Sequence, residues 1–137
     1  MGYAVELSFD VAKSGSFITK QEQIAIKARD HSSCTQYSMH EIEGYGRKTV
    51  RNDSIQVVMF EDEDLHNMLS FIEEIRLEKI SSIDCIYTDD ISCNLLYASP
   101  KYLHRLDKPT SLDIRRTLKK SENETVLAVR KALKLNC

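Results

Sequence analysis

Apolar and polar residues alternate at the start of the chain. Val5, Leu7, Phe9 and Val11 fall on one side, with Glu6, Ser8 and Asp10 on the other. A period of two sends successive side chains to opposite faces of a strand, so AVELSFDV predicts a half-buried strand. KSGSF breaks the pattern. Thr19 and Glu22 then form a capping box, whose oxygens satisfy free amides of a first helical turn, and Ile24, Ala25 and Ala28 face inward on the helix that follows. QYSMHEIEG predicts a weaker strand and GYGRKTVRND a basic connection. SIQVVMF is apolar on both faces, as a central strand is. Leu65, Met68, Leu69, Ile72 and Ile75 recur at helical spacing and mark the best amphipathic helix in the chain. SIDCIYTDD and ISCNLLYASP predict two strands turning at Asp89, which would set Cys85 opposite Cys93. Ser99 and Pro100 are placed as N-cap and N1 of a short helix, PKYLHRL. DKPTS interrupts it, LDIRRTLKK resumes as helix, and Ser121 with Glu124 forms a second capping box before ENETVLAVRKALKL.

The order β-α-β-β-α-β-β followed by helices predicts an α+β fold, a ferredoxin-like βαββαβ(β) sandwich. Residues 1–99 would form that domain. Residues 100–137 would be a basic C-terminal helical extension, packed on it or exchanged with a partner. The sheet face carrying Glu6, Ser8 and Asp10 would meet solvent, the C-terminal helices or another subunit.

Glu61-Asp62-Glu63-Asp64, with His66 close behind, raises the question of a metal or acid–base site. The run falls at the N-cap and first turn of the amphipathic helix, where free amides and the helix dipole favour carboxylates. A hard cation needs oxygens converging from several elements, and none can be named, so a helix start is the reading and no metal ligands are assigned. His31 and Cys34 are three apart near a helix end, without an assignable orienting acid. They are read as a frayed helix end, and no catalytic residue is assigned.

Net charge is −2, but unevenly placed. Residues 1–100 hold nine Lys/Arg against seventeen Asp/Glu, a net −8; residues 101–137 hold ten against four, a net +6. Arg115, Arg116, Lys119 and Lys120 form one helical band, and Arg130, Lys131 and Lys134 another. Such bands can contact phosphates with salt-sensitive affinity. They can equally dock on the acidic body of the same or a neighbouring subunit. No aromatic residue follows Tyr102 to stack bases. The composition, 42% hydrophobic and 29% charged over 137 residues, is that of one globular domain. The four cysteines form no C-x-x-C pair, and the start has no basic n-region, so reduced thiols and a cytoplasmic protein are expected. No apolar run reaches the roughly 20 residues of a membrane span.

EIEGYGRK, residues 41–48, resembles the start of the T-loop in PII-type signalling proteins, where a strand ends in Glu-x-x-Gly-aromatic-Gly-Arg-Gln. SIQVVMFEDEDLHNMLSFIEEI is similar to that family's next strand and helix, and CIYTDDISCNLLY to its last two strands. The resemblance spans about residues 3–98 in element order, and its sharp motif is Gly44-Tyr45-Gly46-Arg47. It implies a ferredoxin-like fold, a trimer, and adenine nucleotides held between subunits. Tyr45, Gly46, Arg47 and Lys48 are then the candidate ligand residues, Gly46 for close backbone approach and Arg47 as a phosphate-pairing fork. The chain departs from the pattern in three places. Lys48 replaces glutamine, the loop ends by about residue 53, and RLEKISSID lacks the glycines of the family's B-loop. A non-enzymatic, homo-oligomeric binding or regulatory module is therefore the expectation, with a nucleotide or protein partner and no cofactor that the residues name. The alternative is a nucleic-acid-associated protein using the basic C-terminal helices. A carboxylate- or metal-dependent enzyme around Asp62, Asp64 and His66 stands third.

Overall fold

The computed structural model describes residues 2–8, 23–24, 26–27, 36–38, 55–79, 81–91 and 93–135. Five strands are present: β1 (Gly2–Ser8), β2 (Gln36–Ser38), β3 (Ile55–Glu61), β4 (Ser82–Thr88) and β5 (Leu95–Ala98). A 3-10 turn (Asp62–Asp64) leads into α1 (Leu65–Glu78). Three further helices follow β5: α2 (Pro100–His104), α3 (Lys108–Lys120) and α4 (Glu124–Ala132). Gln23, Ile24, Ile26 and Lys27, between β1 and β2, are helical.

The strands form one sheet in the order β2-β3-β1-β4-β5, and each neighbouring pair is antiparallel. The chain is thus an α+β protein. α1 carries it from β3 across β1 to β4, and β3 is internal, as its two apolar faces predict. Gly2 opens β1 against β3. A Cβ there would lie 1.8 Å from the Phe60 carbonyl oxygen, so only glycine fits. Its N–H donates to the Asp89 carboxylate, and the Asp89 N–H returns a bond to the Gly2 carbonyl at 3.0 Å, tying the β4–β5 turn to the sheet.

Both faces of the sheet are covered. On one, Val5, Leu7, Val58, Phe60, Ile83, Ile86 and Leu96 pack with Ile24, with Met68, Phe71, Ile72 and Ile75 of α1, and with Val126 and Val129 of α4. Phe60 and Phe71 are tilted at 5.5 Å between centroids, a favourable aromatic geometry. Lys27 clamps the helical segment to α1 through Glu74 at 2.9 Å and Glu78 at 3.2 Å. The Glu74 hydrogen bond outweighs the opposing effect of burial, and Lys27 holds its proton above the usual lysine range. On the second face, Ala4, Val57, Cys85, Tyr87 and Ala98 pack with Tyr102 and Leu103 of α2, flanked by Leu106 and by Ile114 and Leu118 of α3. Of the three covers open to the polar face of β1, the C-terminal helices supply one, and Glu6 and Ser8 are buried.

A bulge in β4 reconciles its composition with these layers. Strict alternation in SIDCIYT would place Ile83 and Ile86 on opposite faces. The register against β1 instead runs Glu6 with Cys85 and then Leu7 with Ile83, leaving Asp84 as the extra residue. One added residue resets the alternation, so both isoleucines join the α1 layer.

Local chemistry shifts several expected boundaries. The acidic run opens a helix, as expected, through the 3-10 turn, and neither Glu61 nor Asp64 makes a side-chain cap bond. Ser99 caps α2 by accepting from the Tyr102 N–H at 3.1 Å. DKPTS starts a helix where an interruption was expected. The Asp107 carboxylate accepts from the Thr110 N–H at 3.1 Å, and Pro109 sits in the first turn, where a missing N–H costs nothing. The α4 cap is Asn123, which accepts from the N–H groups of Thr125 and Val126. Ser121 closes α3 instead of opening a capping box. β5 begins late, Cys85 pairs with Ala98, and Cys93 lies in the turn, so the two cysteines do not face each other and neither is in a disulfide. The capping box at Thr19 and Glu22, the inward residues Ala25 and Ala28, His31 and Cys34 lie outside the described residues.

Candidate functional site

Two polar features stand out. The first is enclosed. Glu6 and Asp84 are each 0% exposed on the sheet face covered by α2 and α3, and Ser8 is buried beside them. The Ser8 hydroxyl donates to Asp84 Oδ1 at 3.0 Å. Arg105, just past α2, reaches Asp84 Oδ2 at 3.5 Å with a side chain 34% exposed. The Asp84 carbonyl accepts from the Ser99 N–H at 2.8 Å, so one residue joins β1, β4 and the start of α2. Burial first, and then the Asp84 charge, hold the Tyr97 phenol above its ordinary range. The bulge delivers Asp84 to this cluster. Sequence periodicity missed it because a bulge shifts every later side chain by one position.

The second feature is open. Between β5, α3 and α4 runs a cleft of about 330 Å³. Its floor is apolar, built from Leu96, Ala98, Leu103, Leu118 and Val129, and Arg115, Lys119 and Arg130 line it as well. The cations come from two helices. Arg115 and Lys119 are one turn apart on α3, and Arg130 projects from α4. Arg130 is oriented by donating from Nη2 to the Leu118 carbonyl near the end of α3. Three consecutive β5 residues, Leu96, Tyr97 and Ala98, border the cleft. Leu96 belongs to the core on one face of the sheet and Ala98 to the core on the other, so the cleft lies along the strand edge.

The expected site residues divide accordingly. Tyr45, Gly46, Arg47 and Lys48 lie outside the described residues. Arg115, Arg116, Lys119 and Lys120 are exposed on α3, Lys131 is exposed on α4 and Lys134 just past its end, whereas Arg130 is half-buried. The structure brings Arg115, Lys119 and Arg130 to one cleft and leaves the other four off its lining. Among the described residues, the ion pair joining the basic C-terminal segment to the acidic body is Arg105 with Asp84. Asp62 and His66 are exposed, while Asp64 is buried and accepts from Asn67 Nδ2 at 3.2 Å. No group of three or more His, Cys, Asp or Glu among the described residues is placed to hold a metal ion.

No family model, no curated protein and no solved structure matches the chain. No helix among the described residues is long and apolar enough to cross a membrane.

Proposed function

We propose that the chain is a non-enzymatic binding module with a ferredoxin-like core of PII-like form, acting as a homo-oligomer. The observation that carries this reading is the strand order. The run β2-β3-β1-β4, with α1 returning from β3 to β4 and helical residues between β1 and β2, supports a split βαβ sandwich. β5 extends that sheet at the β4 edge. On this reading Tyr45, Gly46, Arg47 and Lys48, which lie in sequence between β2 and β3, engage the ligand at a subunit cleft. Native mass spectrometry of the full chain tests it. A trimer that gains the mass of an added adenine nucleotide, and loses it in Arg47→Ala, is expected. A monomer that retains no nucleotide would sink both the assembly and the site.

A second reading, association with nucleic acid, is favoured by one observation. Arg115, Arg116, Lys119, Lys120, Lys131 and Lys134 are exposed, and none has an ion-pair partner among the described residues. Truncating the helices is the wrong test, because Val126 and Val129 belong to the core. Replacing Arg116 and Lys120 by glutamine keeps the fold. If each contacts a phosphate of duplex DNA, the salt dependence of binding should fall by about 2 in log–log slope. An unchanged slope, or no complex at low salt, rejects this reading.

A further inference from the structure

The cleft between β5, α3 and α4 has a neighbour. A second hollow, of about 410 Å³, shares Leu96, Leu118 and Val126 with it. The two differ in chemistry. The second hollow is bordered by Asp113 and by hydroxyl and amide side chains such as Thr117, Ser121 and Asn123, with no Lys or Arg in its lining. The first combines its apolar floor with Arg115, Lys119 and Arg130 and has no Asp or Glu in its lining.

We infer that the first cleft is a binding site for a small amphipathic organic anion, with its apolar body on Leu96, Ala98 and Leu103 and its anionic head held by Arg115, Lys119 and Arg130. Its volume lies at the small end of the roughly 300–1,000 Å³ typical of ligand clefts. Three cations of one sign around an apolar recess raise the local concentration of anions and orient them head outward. Arg130 is already positioned by its bond to the Leu118 carbonyl, and a pre-organised guanidinium loses little freedom when it pairs. Asp113 makes the neighbouring hollow the wrong place for the same head group. A nucleic-acid backbone would be served as well by Arg116, Lys120 and Lys131, which lie outside the cleft, and would gain nothing from the apolar floor. The pairing of floor and cations is what selects an amphipathic anion, and it does not depend on the oligomer proposed above.

The test is an NMR titration of the isotope-labelled full chain with octanoate, 1-octanol and octylammonium. Octanoate is expected to give saturable shifts centred on the amides of Leu96, Ala98, Leu118 and Val129. Octanol should bind at least about tenfold more weakly, and octylammonium not detectably, because a charge-assisted bond to the head group is missing in both. Arg115→Gln with Lys119→Gln alters exposed side chains and should weaken octanoate about tenfold or more while leaving octanol unchanged. Leu135→Asp, at an exposed position in the cleft wall, should weaken octanoate as well. Octanol binding as tightly as octanoate, an unaltered affinity in the double variant, or shifts centred on Asp113 would each overturn the assignment. So would the absence of octanoate shifts alongside an oligonucleotide that perturbs the same amides, which would transfer the cations to nucleic acid.

Discussion

Asp84 is a fully buried carboxylate whose side-chain partners are the Ser8 hydroxyl and, at 3.5 Å, a partly exposed arginine. Two substitutions separate what its charge contributes from what its hydrogen bond contributes. At 3.5 Å the Asp84–Arg105 attraction is about 1 kcal/mol in water and about 5 kcal/mol at an effective dielectric of 20. A third of Arg105 faces solvent, so screening puts the value near the lower end. Burying a carboxylate costs several kcal/mol, more than so weak a pair returns. Asp84→Asn removes that cost and keeps an oxygen to accept from Ser8, so it should change stability by no more than about 1 kcal/mol. Asp84→Ala leaves the Ser8 hydroxyl buried without an acceptor, at about 1–3 kcal/mol, and adds a small void at about 1 kcal/mol. Urea denaturation reads the difference. With a slope of about 1–3 kcal/mol per molar, the Ala variant should unfold roughly 1–2 M earlier, and the Asn variant near the wild-type midpoint. The Asn variant should also bring the Tyr97 phenol closer to its ordinary range, since the Asp84 charge helps raise it. An Asn variant as unstable as the Ala variant would refute this reasoning and make the ion pair the dominant stabiliser.

Other positions give independent tests. Gly2→Ala would place a Cβ 1.8 Å from the Phe60 carbonyl and should cost about 1–3 kcal/mol through separation of β1 from β3, seen as faster amide exchange at the start of β1. A loss-free variant would mean the strand end yields easily. Lys79 ends α1 in the left-handed region at φ 56°, exposed and with its N–H bonded to the Ile75 carbonyl, so Lys79→Gly should raise stability by about 0.5–1 kcal/mol; a lower melting temperature would contradict the strain argument. Asn123→Ala should cost about 1 kcal/mol and fray α4 from its first turn, and unchanged exchange at Thr125 and Val126 would count against the cap. Hydrogen bonds from Thr110, its side chain first and then its backbone N–H, hold the Asp107 carboxyl below the usual range. A carboxylate depressed on folding contributes its stability in full above the unfolded value of about 3.9 and loses it as pH falls through the lower folded value. The Thr110 amide shift should therefore titrate below pH 4 in wild type, and its failure to do so in that range would refute the cap.

Local chemistry determined much of this protein before folding. The alternation in β1, the apolar run of β3, the stripe of α1 and the Ser99-Pro100 start of α2 are each encoded within a few residues, because period and capping are short-range physics. The +6 tail is likewise plain from composition, and exposure of six of its seven banded cations follows from what an unpaired charge costs in an interior. Competition between neighbours was harder to read. Asp107 caps α3 inside the stretch expected to interrupt a helix, and Asn123 caps α4 in place of Ser121 because α3 continues to Lys120. Phe71 fell outside the linear stripe, yet it is buried against Phe60 because α1 packs with a wider face than five positions describe. Only the tertiary structure decided the rest. A bulge places Asp84 with Ser8 and Arg105, and α3 and α4 bring Arg115, Lys119 and Arg130 to the edge of β5. Both arrangements join residues far apart in sequence through register and packing, and neither register nor packing leaves a periodic trace in the residues themselves.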